Sequence, residues 1–228
     1  MRSGNGVSSA AAYEPPDPEE NRWAARSAPG RMRIMPDLTA PVLPAHAFSR
    51  APQPTVPTGD GLLLRPFRTG DAPAVHAVFQ DPVMHRWHLR SAGSEEEVTG
   101  WMAQWHAAWA ADREAHWAVT EDGGAGRLLG RVALREVRLA DGAAEVAYWT
   151  APEARGRRVA ARATAALARW ALEETGFHRL ELLHAVANEA SCRVAARTGF
   201  ALEGTKRRSG LHADGWHDMH LHARLRGD

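Results

Sequence analysis

Proline divides this chain into two regimes. Ten of its 14 prolines fall within the first 58 of 228 residues, and no hydrophobic periodicity develops before about Leu62. Proline fixes φ and removes a backbone donor, so a segment this rich in it builds neither regular helices nor sheet interiors. Residues 1–35 are therefore expected to be a disordered tail. Residues 36–60, which place Leu38, Val42, Leu43 and Phe48 among their prolines, are expected to be an extended arm lying along the domain that follows. The remainder, 61–228, has the length of one domain able to bury its own core.

Composition narrows the classes of partner. The 28 Lys+Arg nearly balance 27 Asp+Glu, so no strong field draws the chain to nucleic acid or to a membrane surface. Lys206 is the sole lysine, and the arginine excess reads as genome composition rather than as a phosphate-binding device. One cysteine, Cys192, excludes an internal disulfide and any zinc site built on several thiolates. No apolar run approaches the ~18 residues of a membrane span. Met1–Glu20 lacks the apolar stretch of a secretory signal. The expectation is a cytoplasmic protein with no membrane and no nucleic-acid partner.

From Gly61 the pattern becomes regular. Leu62–Phe67 is a short apolar run closed by Pro66, which suits an edge strand. Thr69 and Asp71 offer caps to a helix over Ala72–Phe79, and Asp81-Pro82 reads as a turn. Ser94 and Glu97 form a capping box before Val98, Trp101, Met102, Trp105 and Trp109, which recur at helical spacing. Three strands are expected at His116–Thr120, Leu128–Val137 and Glu145–Trp149, with turn signals at Gly123-Gly124 and Asp141-Gly142. A long helix over Arg157–Thr175 ends at Gly176, followed by a strand at Arg179–Val186 and a helix at Glu189–Thr198. Phe200–Arg207 and Trp216–Leu225 close the domain as an antiparallel pair, the second an edge able to pair across a dimer. This is a mixed α/β sheet with crossover helices.

The stretch EVAYWTAPEARGRRVAARA, Glu145–Ala163, carries the most chemistry. A strand runs into an arginine- and glycine-bearing loop that opens a helix, and the free N–H groups and dipole of a helix N-terminus bind phosphate. The alternative is an ordinary strand-to-helix connection with solvated arginines. A second segment, NEASCRVAARTGF, follows a strand and ends on a Gly-Phe turn.

Together with LLLRPFRTGDAPAV, DPVMHRWH, AEVAYWTAPEARGRRVA and SGLHADGWHDMHLHARL, in this order, these segments make the chain resemble the GCN5-related N-acetyltransferase (GNAT) superfamily, over nearly all of residues 61–226. The ribosomal-protein-alanine acetyltransferase-like (RimJ/RimL) branch is the most similar. The resemblance implies an α+β fold with a mixed, mostly antiparallel sheet of about seven strands, flanked by helices and splayed at an acetyl-CoA site. It implies that acetyl-CoA is the cosubstrate, a primary amine the acceptor (a peptide N-terminus or a small amine), and transfer direct.

Residue by residue, the family's pyrophosphate loop, Arg/Gln-x-x-Gly-x-Gly/Ala, falls on Arg155, Arg158 and Ala160, with arginine at 158 where the family has glycine. Gly156, Arg157 and Val159 complete that loop. Asn188 matches the asparagine that contacts the pantetheine arm, and Tyr148 and Trp149 lie where the strands would splay around it. Glu145 matches a general base, against the alternative of a salt-bridged strand residue. Ser191 matches an acid beside the sulfur, against the alternative of a helix cap or first-turn residue. The tyrosine that many relatives use near the second motif is Ala195 here. His85, Trp87, His88 and Trp105 fall where relatives shape the acceptor pocket. Cys192 has no His–Asp pattern around it and is not expected to be a nucleophile. His217, His220 and His222 cluster, but without a carboxylate–histidine signature they read as a polar strand or cleft lining, with no metal expected. The competing function is a non-catalytic acyl-CoA-binding regulatory module. Monomer and homodimer both fit.

Overall fold

The computed structural model describes residues 38–88, 90–123 and 126–228. It divides into Met1–Thr39 and a unit spanning Ala40–Asp228. The expected tail, 1–35, lies outside the described residues.

Regular structure begins inside the proline-rich stretch. Val56–Pro57 (β1) pairs antiparallel with Leu62–Pro66 (β2), so β2 is not an edge. The arm is also less extended than expected: residues 45–50 form turns, and Leu43 and Phe48 are buried in the core. Prolines surrender donors but keep their carbonyl acceptors. Pro54 O accepts the Trp117 Nε1–H at 2.8 Å, satisfying a fully buried indole. Phe48 packs on Trp109 with ring centroids 4.9 Å apart.

Ala72–Val78 (α1) follows β2 and is anchored to it by a buried, two-pronged ion pair of Arg65 with Asp71, at 2.7 and 2.8 Å. Asp71 therefore does not cap α1 with its side chain. Burial alone would raise its pKa, but Arg65 and the Arg68 N–H hold it below the ordinary carboxylate value. The turn expected at Asp81 is instead the start of a short helix, Pro82–Trp87 (α2). Asp81 caps it by accepting the Val83 N–H at 3.2 Å, and Pro82 stands at the first position, where its missing donor costs nothing. Glu95–Ala110 (α3) is capped by Ser94, which accepts the Glu97 N–H at 3.1 Å.

Ala115–Glu121 (β3), Leu128–Arg138 (β4) and Ala143–Thr150 (β5) form the antiparallel centre. Val159–Arg169 (α4) starts two residues later than expected and runs into a π-helical turn, Trp170–Thr175, that stops at Gly176 with φ 101°. Arg179–Ala185 (β6), Glu189–Arg197 (α5), Ala201–His212 (β7) and Gly215–Leu225 (β8) complete the chain.

The strands form one eight-stranded sheet in the order β1-β2-β3-β4-β5-β6-β8-β7, one strand more than the expected seven. Every neighbouring pair is antiparallel except β5 with β6, and that parallel step needs the crossover that α4 supplies. β8 lies inside the sheet and β7 at its edge, which corrects the edge expected at Trp216–Leu225: the last strand inserts between β6 and β7. Among the described residues no helix is long and apolar enough to cross a membrane.

Candidate active site

β5 and β6 stay together for three residue pairs only, Ala143–Glu145 against Arg179–Glu181. Beyond Glu145, β5 remains bonded to β4 as far as Thr150, while β6 remains bonded to β8 as far as Ala185. The two strands diverge, leaving one β5 edge without a strand partner, and the N-termini of α4 and α5 close the wedge. A cleft of about 370 Å³ occupies it, lined by Tyr148, Trp149, Arg155, Gly156, Arg158, Val159, Ala160, Asn188 and Ser191. The loop residues singled out in the sequence thus share one wall, with the exception of Arg157, whose exposed guanidinium is paired with Glu121 at 2.8 Å.

Gly156 (φ 79°) and Arg158 (φ 58°, ψ 22°) are both left-handed, which turns successive N–H groups of the loop inward. Arg158 thus adopts the backbone shape that a glycine would take more cheaply. No side chain caps α4, so its first amides and its positive dipole end open on the cleft. Arg155 pairs with Asp81 across to α2, and Arg158 has no ion pair among the described residues. Free amides and an unpaired guanidinium at one helix N-terminus can receive an anionic group.

Asn188 caps α5, its Oδ1 accepting the Ser191 N–H at 3.2 Å; the carbonyl is spent on folding and the amide N–H₂ is left for a ligand. The cap role left open for Ser191 therefore belongs to Asn188. Ser191 faces the Tyr148 hydroxyl, which is buried without a well-formed hydrogen bond. Burial pushes the Tyr148 pKa up to about 12, so the phenol keeps its proton. Tyr148 was singled out for its place at the splay; the part played by its hydroxyl depends on which way its side chain turns beyond Glu145, and spacing alone does not show this.

Glu145 is half-buried on the wall of an adjoining cavity that also includes Tyr148, His184, Asn188 and Ser191. It has no ion pair among the described residues, because the neighbouring Arg179 is engaged by Glu181 and Glu203. Burial pushes its pKa up, Glu136 and Glu181 add repulsion, and Arg135 and Lys206 oppose them. The arrangement disfavours the salt-bridge alternative and gives a carboxylate poised to take a proton.

On the other side of Trp87 and His88 lies a cleft of about 710 Å³. Its walls include Phe79, Trp101 and Trp105 together with Arg90, Arg113, Arg131 and Arg135, and the Arg131 guanidinium lies over the Trp105 ring, 5.3 Å from its centroid. Trp105 stacks on His116, with ring centroids 4.9 Å apart. His116 Nδ1 accepts from Arg131 at 3.0 Å and its Nε2–H donates to Glu114 at 2.7 Å. Burial, reinforced by Arg131, brings the His116 pKa down to about 3, so this ring is a neutral relay. Burial likewise lowers His88 to about 4, helped by Arg131 and Arg135. Of the residues expected to shape the acceptor pocket, Trp87, His88 and Trp105 line this cleft and His85 does not. The His85 ring is drawn away by the Phe79 carbonyl, 2.7 Å from its Nε2. The arginine lining was not read in the sequence, because its members come from separate strands and loops.

A splayed mixed sheet with an uncapped helix N-terminus in the splay defines a class of acyl-CoA-binding folds, and comparison with known proteins agrees. Residues 61–201 match the acetyltransferase (GNAT) domain. The chain belongs to the GNAT family. YdaF of Bacillus subtilis (strain 168), named as a candidate ribosomal N-acetyltransferase, is 37% identical over 92 residues, covering 40% of this chain and 50% of that protein. The chain thus matches about half the length of this curated relative. Among solved structures, the ribosomal L7/L12 α-N-protein acetyltransferase RimL in complex with coenzyme A superposes with a TM-score of 0.70 at 19% identity, covering 75% of this chain and 98% of that one. The ribosomal-protein-S5-alanine acetyltransferase of Vibrio fischeri gives a TM-score of 0.67 at 20% identity, covering 74% and 95%. At these identities the structures share the fold.

Proposed function

We propose that this protein transfers an acetyl group from acetyl-CoA to a primary amine, directly, with both substrates held in one wedge. The observation that carries this reading is the divergence of β5 and β6 immediately after Glu145, with an uncapped helix N-terminus at its floor. When bound, acetyl-CoA supplies the activated acyl group. The amides of Gly156–Ala160 and the Arg158 guanidinium would hold its diphosphate, and the free β5 edge and the Asn188 amide its pantetheine arm. Glu145, kept basic by burial, takes a proton from the acceptor's ammonium, directly or through water, and leaves the neutral amine to attack the thioester carbonyl. Ser191, backed by the protonated Tyr148 phenol, holds the proton for the leaving sulfur. Holding both reactants in one wedge supplies much of the rate.

The acceptor would enter through the aromatic and arginine-lined cleft. Four arginines against one glutamate among its walls favour an amine that carries a carboxylate or phosphate nearby, such as an acidic peptide N-terminus, over a polyamine. The relatives named for ribosomal-protein acetylation make a peptide α-amine the first candidate. The rival, a non-catalytic binding module, rests on the arginine at 158; that residue keeps the left-handed turn of the loop, which favours a working cradle.

Calorimetric titration with acetyl-CoA, followed by thiol release against acidic, neutral and basic N-terminal peptides, polyamines and aminoglycosides, tests the reading. Saturable binding and release highest with acidic peptides are expected. Absence of saturable binding would sink the assignment, and binding without thiol release from any amine would establish the rival.

A further inference from the structure

The histidines that stand together in the sequence are rearranged by the fold. His220 and His222 share one face of β8, and on that face His184 of β6 stands directly opposite His220. His217 belongs to a different, more exposed group with His212 and Asp214. α5, which packs on β6, brings Cys192 to the first face. One ligand atom from each of His184, Cys192, His220 and His222 lies within 4.8 Å of all the others.

The two most buried members are in conflict. His184 and His222 are 5% and 4% exposed, and their Nε2 atoms are 3.1 Å apart. His184 Nδ1 lies 2.8 Å from the Ala185 carbonyl and His222 Nδ1 lies 3.3 Å from that of Phe200. A carbonyl oxygen only accepts, so both Nδ1 atoms carry their proton. A neutral imidazole has a single N–H. Both Nε2 atoms therefore direct bare lone pairs at one another across 3.1 Å. Moving one proton to Nε2 only transfers the clash to a carbonyl. A cation between the rings removes it.

A shared proton would need two nitrogens and nothing more. Here two further donors converge, the only thiol of the chain and His220, whose Nδ1 is buried without a hydrogen-bond partner. The 3.1 Å separation is close to the roughly 3.3 Å subtended by two imidazoles about 2.0–2.1 Å from a tetrahedral ion. The Nδ1–H bonds to backbone carbonyls are the outer contacts that orient metal-binding histidines. We propose that His184, Cys192, His220 and His222 form a site for a divalent ion of the zinc class, tying β6, β8 and the first turn of α5 together beside the acetyl-transfer wedge. One thiolate with three imidazoles suits zinc or cobalt, and not the all-oxygen sites of magnesium or calcium.

Untagged full-length protein, stripped with chelator, is titrated with Co(II) and then Zn(II). The expected result is about one equivalent bound, with a thiolate-to-cobalt charge-transfer band and strong tetrahedral d–d bands that zinc abolishes. Cys192→Ser should remove the charge-transfer band and weaken cobalt binding by at least about ten-fold. His217→Ala, in the exposed group, should change neither. Should the serine variant misfold, alkylation of wild-type Cys192 by iodoacetamide decides, because bound zinc should slow it at least about ten-fold. Failure to take up either metal would overturn the proposal and leave the pair to share a proton. So would a cobalt spectrum without the thiolate band, or alkylation indifferent to zinc.

Discussion

The Glu145 carboxylate pulls activity and stability in opposite directions. Its pKa in the folded chain is raised, chiefly by burial, so the unfolded chain gives up that proton first and stability falls as pH rises through the interval between the two values. Above that interval the deficit persists. Glu145→Gln removes it, so the variant should melt higher than wild type at pH 7, with the difference closing below the ordinary carboxylate range. Its kcat should fall by about 10²–10⁴, the usual contribution of a positioned base, while calorimetry finds acetyl-CoA affinity unchanged. A lower melting temperature would mean that the charge has a partner, and undiminished turnover would move the base elsewhere. Arg158 stores strain of another kind, since a side chain in the left-handed region costs roughly 1–2 kcal/mol. Arg158→Gly should raise Tm by a few degrees and weaken acetyl-CoA binding roughly ten-fold, about one charge-assisted hydrogen bond. If affinity holds, the guanidinium points away from the phosphates. Glu145, Asn188 and Ser191 were singled out in the sequence because each matches a position in the motifs of the family it resembles, and all three line the cavities of the wedge. The unpartnered Tyr148 hydroxyl and the left-handed Arg158 were not, because both depend on a torsion rather than on spacing.

At the scale of elements, periodicity located the helices and strands wherever a run was long enough to show its period. Leu128–Arg138 and Glu95–Ala110 are examples. It missed pieces defined by a single contact. β1 is two residues long, and α2 reads as a turn until Asp81 is seen to cap it. The position of β8 inside the sheet was likewise hidden, because alternation fixes the faces of a strand and says nothing of its neighbours. A glycine in β4 shows how closely the elements of the wedge are fitted. A Cβ on Gly130 would stand 2.5 Å from the Trp149 carbonyl oxygen and 3.3 Å from Thr150 Cα, and neither backbone atom can yield. Gly130→Ala should therefore push the end of β5, at Trp149–Thr150 on the wall of the wedge, out of register with β4. The expected cost is about 1–3 kcal/mol, with acetyl-CoA affinity falling alongside. Gly204→Ala, on β7 with open space around its Cβ, is the control and should leave both unchanged. A Gly130 variant as stable as the control would show that β4 and β5 have slack between them.

The molecule as a whole is a sheet in two halves, β1 to β5 and β6-β8-β7, joined by three residue pairs and by the helices that cross the gap. A sheet rarely leaves a strand edge unpaired in its interior unless something else occupies it, since the exposed N–H and C=O groups need partners. A pantetheine arm lying along β5 would supply them and join the halves. Binding to the folded chain alone at one hundred times Kd stabilises it by about 2.7 kcal/mol. For a domain of this size that is a rise in Tm of roughly 5–10 °C. The local signature is more telling than the overall rise. In hydrogen exchange followed by mass spectrometry, protection should concentrate in Val146–Thr150, in Leu182–Ala185 and in the first turn of α4, while the outer strand β7 exchanges as before. Protection spread evenly over the chain would indicate stabilisation without bridging. Protection confined to α4 would mean that the phosphates are held and the divided sheet stays open, leaving Glu145 with no acyl group in reach.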